Sequence, residues 1–112
     1  MKVIYVAGPY RAETTWGIEC NTRAAEALSL QVWQAGAVAI CPHANSRFFQ
    51  GSAPDEAFVD GYLEVLRRCD ALLLVQDDPS SEGTQGELRE ARERGIPIFT
   101  SMDALQGWLQ RG

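Results

Sequence analysis

The sequence predicts a single α/β domain over residues 1–112, built as an open parallel sheet of four to five strands with helices on both faces, in a flavodoxin-like or Rossmann-like order. Three observations predict it. Strand-like and helix-like segments alternate along the whole chain, with no repeat and no linker between them. The run "DALLLVQ" (70–76) is apolar on both faces, as a central parallel strand is. Two helical stretches close on glycine, at Gly36 and Gly95, and each is followed at once by a short apolar run. Right-handed helical crossovers between parallel strands are the default for such an order.

The elements follow in turn. "KVIYVA" (2–7) is a β-rich run ended by Gly8-Pro9. From about Ile18 to Ala35 the residues Ile18, Ala25, Leu28, Val32 and Trp33 fall on one helical face. "AVAIC" (37–41) is a strand stopped by Pro42, and the looser "HANSRFFQGSAP" leads to a helix over about 55–68, with Phe58, Tyr62, Val65 and Leu66 at helical spacing. After "DALLLVQ" comes the polar stretch "SSEGTQGE" (80–87), then a helix to about Arg94, a strand "PIFT" (97–100) and a last helix in "DALQGWLQ".

A net charge of −5 without any basic block argues against a nucleic-acid polymer or a membrane surface as partner, since both require a basic face. A small anion held by one arginine and a few backbone N–H groups is compatible with it. Cys20, Cys41 and Cys69 are odd in number and widely spaced, which fits reduced thiols in a cytoplasmic protein. The opening apolar run is too short for a signal-peptide core or a membrane span and reads as the first strand. One histidine and scattered acids make no metal ligand set, and no cofactor is implied.

In open α/β sheets, ligands bind at the carboxyl ends of the strands where the strand order reverses. Four loops should meet on that edge: "GPYRAE", "PHANSR", "DDPSSEGTQGE" and "TSMDA". Within the third, Thr84-Gln85-Gly86-Glu87 fits a capping box, with Thr84 as N-cap and Glu87 reaching back to its N–H. Ser80 and Ser81 fit an ordinary helix start. Capping leaves Gly83 and Gly86 unexplained, because glycine inside a helix costs roughly 1 kcal/mol relative to alanine. A helix start with hydroxyls and no side-chain bulk is an anion site. Asp77 and Asp78 read as solvated charges, with Asp78 near Ser81.

"IYVAGPYR" and "SSEGTQGELREA" together resemble the nucleoside 2-deoxyribosyltransferase superfamily, and are most like its 2′-deoxynucleoside 5′-phosphate N-hydrolase branch and small relatives of that branch. Ser81, Gly83 and Glu87 match its S-x-G-x-x-x-E spacing; Tyr5, Gly8 and Arg11 match its first-strand motif. The resemblance implies that Glu87 is the nucleophile, that Tyr5 orients it, and that Ser81, Gly83 and the Gly8-Pro9-Arg11 loop hold a 5′-phosphate. Transferases acting on unphosphorylated nucleosides tend to carry aspartate where Ser81 stands, which points to a monophosphate. Pro9 stands where the hydrolases often have serine. Their second carboxylate lies eight residues before the aspartate that opens the third strand; counted back from Asp70 that position is Tyr62, and Asp60, two residues away, is either the candidate acid on a shifted helix or a surface charge, with the acid role elsewhere. A homodimer or higher homo-oligomer is also implied.

The chemistry implied is N-glycosidic cleavage by retention: a carboxylate attacks the anomeric carbon, a second group protonates the departing base, and water releases the sugar. His43 is either a loop histidine bonded to backbone or a contact to the base that assists its protonation. Asn45 reads a base edge or serves a turn. Trp16, Phe48 and Phe49 offer a stacking face, or buried or intersubunit surface. Three further readings use the same residues: 2-deoxyribosyl transfer between bases, the chemistry of the cytokinin-activating phosphoribohydrolases, and a nucleotide-binding module without catalysis.

Overall fold

The computed structural model describes residues 1–75 and 81–111. The element order is β1 (Val3–Ala7), α1 (Thr15–Gln34), β2 (Val38–Ile40), α2 (Pro42–Asn45), α3 (Asp55–Arg67), β3 (Ala71–Leu74), α4 (Glu82–Arg94), β4 (Ile98–Phe99) and α5 (Met102–Arg111). All strand pairs are parallel, and the strand order is β2-β1-β3-β4. This is the flavodoxin-like arrangement. The chain steps outward from β1 to β2, crosses back over β1 through α3, and continues outward from β3 to β4. The order therefore reverses between β1 and β3.

Side-chain alternation on the two central strands makes two cores. Tyr5, Ala7, Leu72 and Leu74 face one way and pack with Leu66 of α3 and with Leu88 and Ala91 of α4. Ile4, Ala71 and Leu73 face the other way and pack with Val32 of α1 and Leu105 of α5. Leu72 and Leu73 are both fully buried, and burying a leucine side chain contributes roughly 1.5–3 kcal/mol, so each face of β3 is anchored independently. Asp70 fixes the start of β3: its carboxylate accepts from Val3 N at 2.7 Å and its own N–H donates to Val3 O at 2.8 Å.

α3 begins at Asp55 as expected, whereas α1 and α4 begin earlier than the sequence reading places them. The hydroxyl of Thr14 caps α1 by accepting from Gly17 N at 2.9 Å, so α1 begins three residues before Ile18. Trp33, placed on its apolar face, is 55% exposed; the inward positions are Thr22, Ala25, Ser29 and Val32. Thr22 and Ser29 are tolerated there because each hydroxyl donates to a carbonyl four residues back. Gly36 and Gly95 have φ of +87° and +70°, the left-handed turn that terminates α1 and α4. Among the described residues, no helix is long and apolar enough to cross a membrane.

Candidate active site

A cleft of about 740 Å³ opens where the strand order reverses, at the carboxyl ends of β1 and β3. Tyr5 and Glu87 line it, as do the loop from Gly8 to Arg11, His43 of α2, and Ser81 and Gly83 of the α4 start. Phe58, Val59, Tyr62 and Leu63 of α3 form an apolar wall. The volume is within the usual range for a small-molecule site. Three of the four expected loops reach it. The residues of "TSMDA" are absent from its lining, because β4 lies one strand beyond the reversal point.

The α4 start is capped by a different residue from the one the sequence suggests. Ser81, not Thr84, is the N-cap: its Oγ accepts from Thr84 N at 3.3 Å and donates to Thr84 Oγ1 at 2.8 Å. Thr84 is then the third residue of the helix and is buried. Glu87 falls in the second turn, out of reach of a capping role, and its carboxyl turns into the cleft. Gly83 and Gly86 both border the cleft, and a Cβ at either would meet nothing within 4 Å among the described residues. Their lack of a side chain keeps that wall open. The first-turn N–H groups of α4 have no intrahelical partner. Asp77, Asp78 and Ser80 lie outside the described residues.

Burial governs Glu87. It raises the carboxyl from 4.5 to about 7, against a hydrogen-bonding pull from Tyr5 and the charge of His43, both of which lower it. The helix dipole acts mainly on the first turn, so it does not hold this carboxyl ionised. Tyr5 is fully buried, and Glu87 is near enough for each group to influence the other's ionisation. Burial first, then the Glu87 charge, pushes the Tyr5 phenol far above its ordinary value, so it stays protonated and faces the carboxyl as a donor.

The β1 loop is tied down from outside. Asn21 of α1 donates to the carbonyls of Tyr10 and Arg11 at 3.1 and 3.4 Å. Arg11 reaches across the mouth to Asp55 at 3.0 Å, and both side chains are exposed. His43 is 6% exposed; its Nε2 is 2.9 Å from Pro9 O, its Nδ1 is buried without a partner among the described residues, and Tyr10 meets it edge-on at 5.8 Å. Arg47 anchors the segment after α2 by pairing with Glu19 of α1, and that contact holds the Glu19 carboxyl below its ordinary value.

Two of the candidate site residues, Asp60 and Asn45, do not line the cleft. Asp60 is exposed on α3, because two residues of helix rotate it by about 200° from Tyr62, which does face the cleft. Asn45 is exposed and donates to Tyr62 Oη at 3.0 Å. Trp16, Phe48 and Phe49 are also exposed and outside the lining; Tyr10 and Phe58 supply aromatic surface instead. Tyr10, Asn21 and Glu19 were missed by sequence reasoning. Only Tyr10, inside the "GPYR" motif, carried a signal there.

The fold is that of a solved 2-deoxyribosyltransferase. A solved structure of a 2-deoxyribosyltransferase from the psychrotolerant bacterium Bacillus psychrosaccharolyticus superposes with a TM-score of 0.63, covering 86% of this chain and 69% of that one at 21% identity. Over residues 2–101 the chain matches the model of the family described as "Domain of unknown function (DUF7768)", and it belongs to that family. No curated protein matches it.

Proposed function

We propose that the protein hydrolyses the N-glycosidic bond of (deoxy)nucleoside 5′-monophosphates, with Glu87 as nucleophile. The observation that carries this reading is the half-buried Glu87 and a buried phenol lining one cleft, beside a helix start kept free of side-chain bulk. The dianionic phosphate sits at the α4 N-terminus, held by backbone N–H groups near Gly83, by Ser81 and by Arg11. Anchored there, the sugar presents C1′ to Glu87, and anchoring replaces much of the entropy a bimolecular attack would lose. Ionised Glu87 forms an ester with C1′ as the bond to the base breaks, with Tyr5 Oη orienting the carboxylate. Water then cleaves the ester and restores Glu87. The Gly8-Pro9 turn supports the phosphate loop.

A second reading, 2-deoxyribosyl transfer, is favoured by the fold neighbour's activity and uses the same nucleophile, with a second base taking the place of water. The deciding experiment follows free base released from a panel of ribo- and deoxyribonucleoside 5′-monophosphates, with and without a second base, for the wild type and Glu87→Gln. Release without acceptor that disappears in the variant supports hydrolysis. Release only with an acceptor supports transfer. Nucleotide affinity with no release in either case, retained in Glu87→Gln, replaces both with a binding module. Homo-oligomerisation belongs to the same proposal, with the exposed Trp16, Trp33, Phe48 and Phe49 as apolar surface for it, and sedimentation measures it.

A further inference from the structure

We infer that His43 is the acid that protonates the departing base, delivering its proton from Nδ1. This rests on the hydrolase reading above and supplies the step that reading leaves without a residue. Glycosidic cleavage of this kind pairs a nucleophilic carboxylate with a second proton-carrying group. Among the described residues the carboxylates lining the cleft are Glu87 and Glu82, and Glu82 is exposed at the first position of α4. The α3 wall carries Tyr62, and that hydroxyl is already committed, donating to Ser46 Oγ at 2.7 Å and accepting from Asn45 at 3.0 Å.

His43 is arranged differently. A carbonyl oxygen only accepts, so the 2.9 Å contact with Pro9 O requires the proton on Nε2. The ring is thereby fixed in one tautomer, and Nδ1 is the nitrogen left to gain or lose a proton. Among the described residues that atom is buried and unpartnered, on a residue that lines the cleft. Buried polar atoms are almost always paired, so an orphan beside an open cleft points to a partner that arrives with the ligand. Tyr10, edge-on at 5.8 Å and 64°, holds the ring's tilt. The ionisable groups sharing the cleft are Tyr5, Tyr10, Arg11, Tyr62, Glu82 and Glu87. Of these, Arg11 engages Asp55 across the mouth, and the His43 charge lowers the Glu87 carboxyl.

The step balances. With His43 cationic and Glu87 ionised, a Glu87 oxygen bonds to C1′ while the C1′–N bond breaks. The bonding pair goes to the base nitrogen system, which takes the Nδ1 proton. Neutral His43 then accepts a proton from the water that attacks C1′, the ester opens, and both residues return to their starting forms. The net reaction is nucleotide plus water giving free base and sugar 5-phosphate.

The test compares leaving groups on the base the panel identifies. One nucleotide carries the unmodified base; the other carries a base that departs without added proton, an N7-methylated purine or a 5-halogenated pyrimidine. His43→Gln retains an amide N–H for Pro9 O but cannot carry a proton, and should slow release of the unmodified base by about 100-fold while changing the activated one only a few-fold. His43→Asn is the second variant, and thermal melting establishes that each is folded. In the wild type, kcat/KM should fall at alkaline pH for the unmodified base and stay level for the activated one, a comparison that needs no variant. Equal losses on both substrates, or the same alkaline limb for both, overturn the assignment. Wild-type protein that releases no base from any substrate overturns the hydrolase reading itself, and this inference with it.

Discussion

Gly8 and Val75 stand side by side at the carboxyl ends of β1 and β3, so close that a Cβ on Gly8 would fall 2.8 Å from Val75 Cβ. Val75 N also donates to Ala7 O at 2.7 Å, so the strands cannot easily part. The glycine is required by packing at the point where the cleft opens, whatever else it contacts. Gly8→Ala should therefore destabilise the fold by roughly 1–3 kcal/mol, the usual cost of overpacking. Urea denaturation measures this, and an unchanged midpoint would contradict the packing account.

Gly86 is the opposite case. Among the described residues nothing lies within 4 Å of its would-be Cβ, and it sits inside α4. Gly86→Ala should stabilise the protein by roughly 0.5–1 kcal/mol through helix propensity, and at the same time narrow the cleft and weaken nucleotide binding. Melting temperature and nucleotide affinity, measured on the same sample, should move in opposite directions.

Ser81 both caps α4 and borders the cleft, and two substitutions separate these roles. Ser81→Ala should cost about 1 kcal/mol of stability as the cap is lost. Ser81→Asp keeps a good cap, so stability should hold within about 0.5 kcal/mol. Its charge repels a 5′-phosphate, so affinity for monophosphates should drop while affinity for the unphosphorylated nucleoside is spared. Equal effects on the two ligands would remove Ser81 from the phosphate site.

Burial raises the Glu87 carboxyl from 4.5 to about 7, so the folded protein holds this proton more tightly than the unfolded chain. The resulting stability is fully present below 4.5 and is lost as pH rises to about 7, a contribution on the order of 3 kcal/mol. Glu87→Gln should remove that slope, and the difference between wild-type and variant denaturation curves across this window isolates it from the other carboxylates. Catalysis runs the other way, because the nucleophile must be ionised: kcat/KM should climb as pH rises through about 7.

Arg11 and Asp55 pair at 3.0 Å with side chains 70% and 61% exposed, so the bridge adds little stability. Asp55→Asn should change unfolding free energy by less than about 0.5 kcal/mol and free Arg11 for an anion, tightening monophosphate binding. Arg11→Ala should weaken that binding with the fold unaffected. Calorimetric titration with a nucleoside monophosphate distinguishes the two.

The sequence by itself determined the alternation of strands and helices, the glycines that end α1 and α4, and the two-faced apolar β3, because these depend on local propensity and periodicity. It also brought Tyr5, Ser81, Gly83 and Glu87 into one group through motif spacing. Only the tertiary structure decided that Ser81 caps α4 and Thr84 is buried, since a capping box and a serine cap read alike until the helix start is fixed in space. It alone turned Asp60 outward and Tyr62 inward, a matter of rotation about α3, and left "TSMDA" one strand too far. His43 is the sharpest instance. Its residue type was plain in the sequence, but its tautomer and its unpartnered Nδ1 depend on the Pro9 carbonyl, thirty-four residues away along the chain, and that contact exists only once β1 and β2 pair.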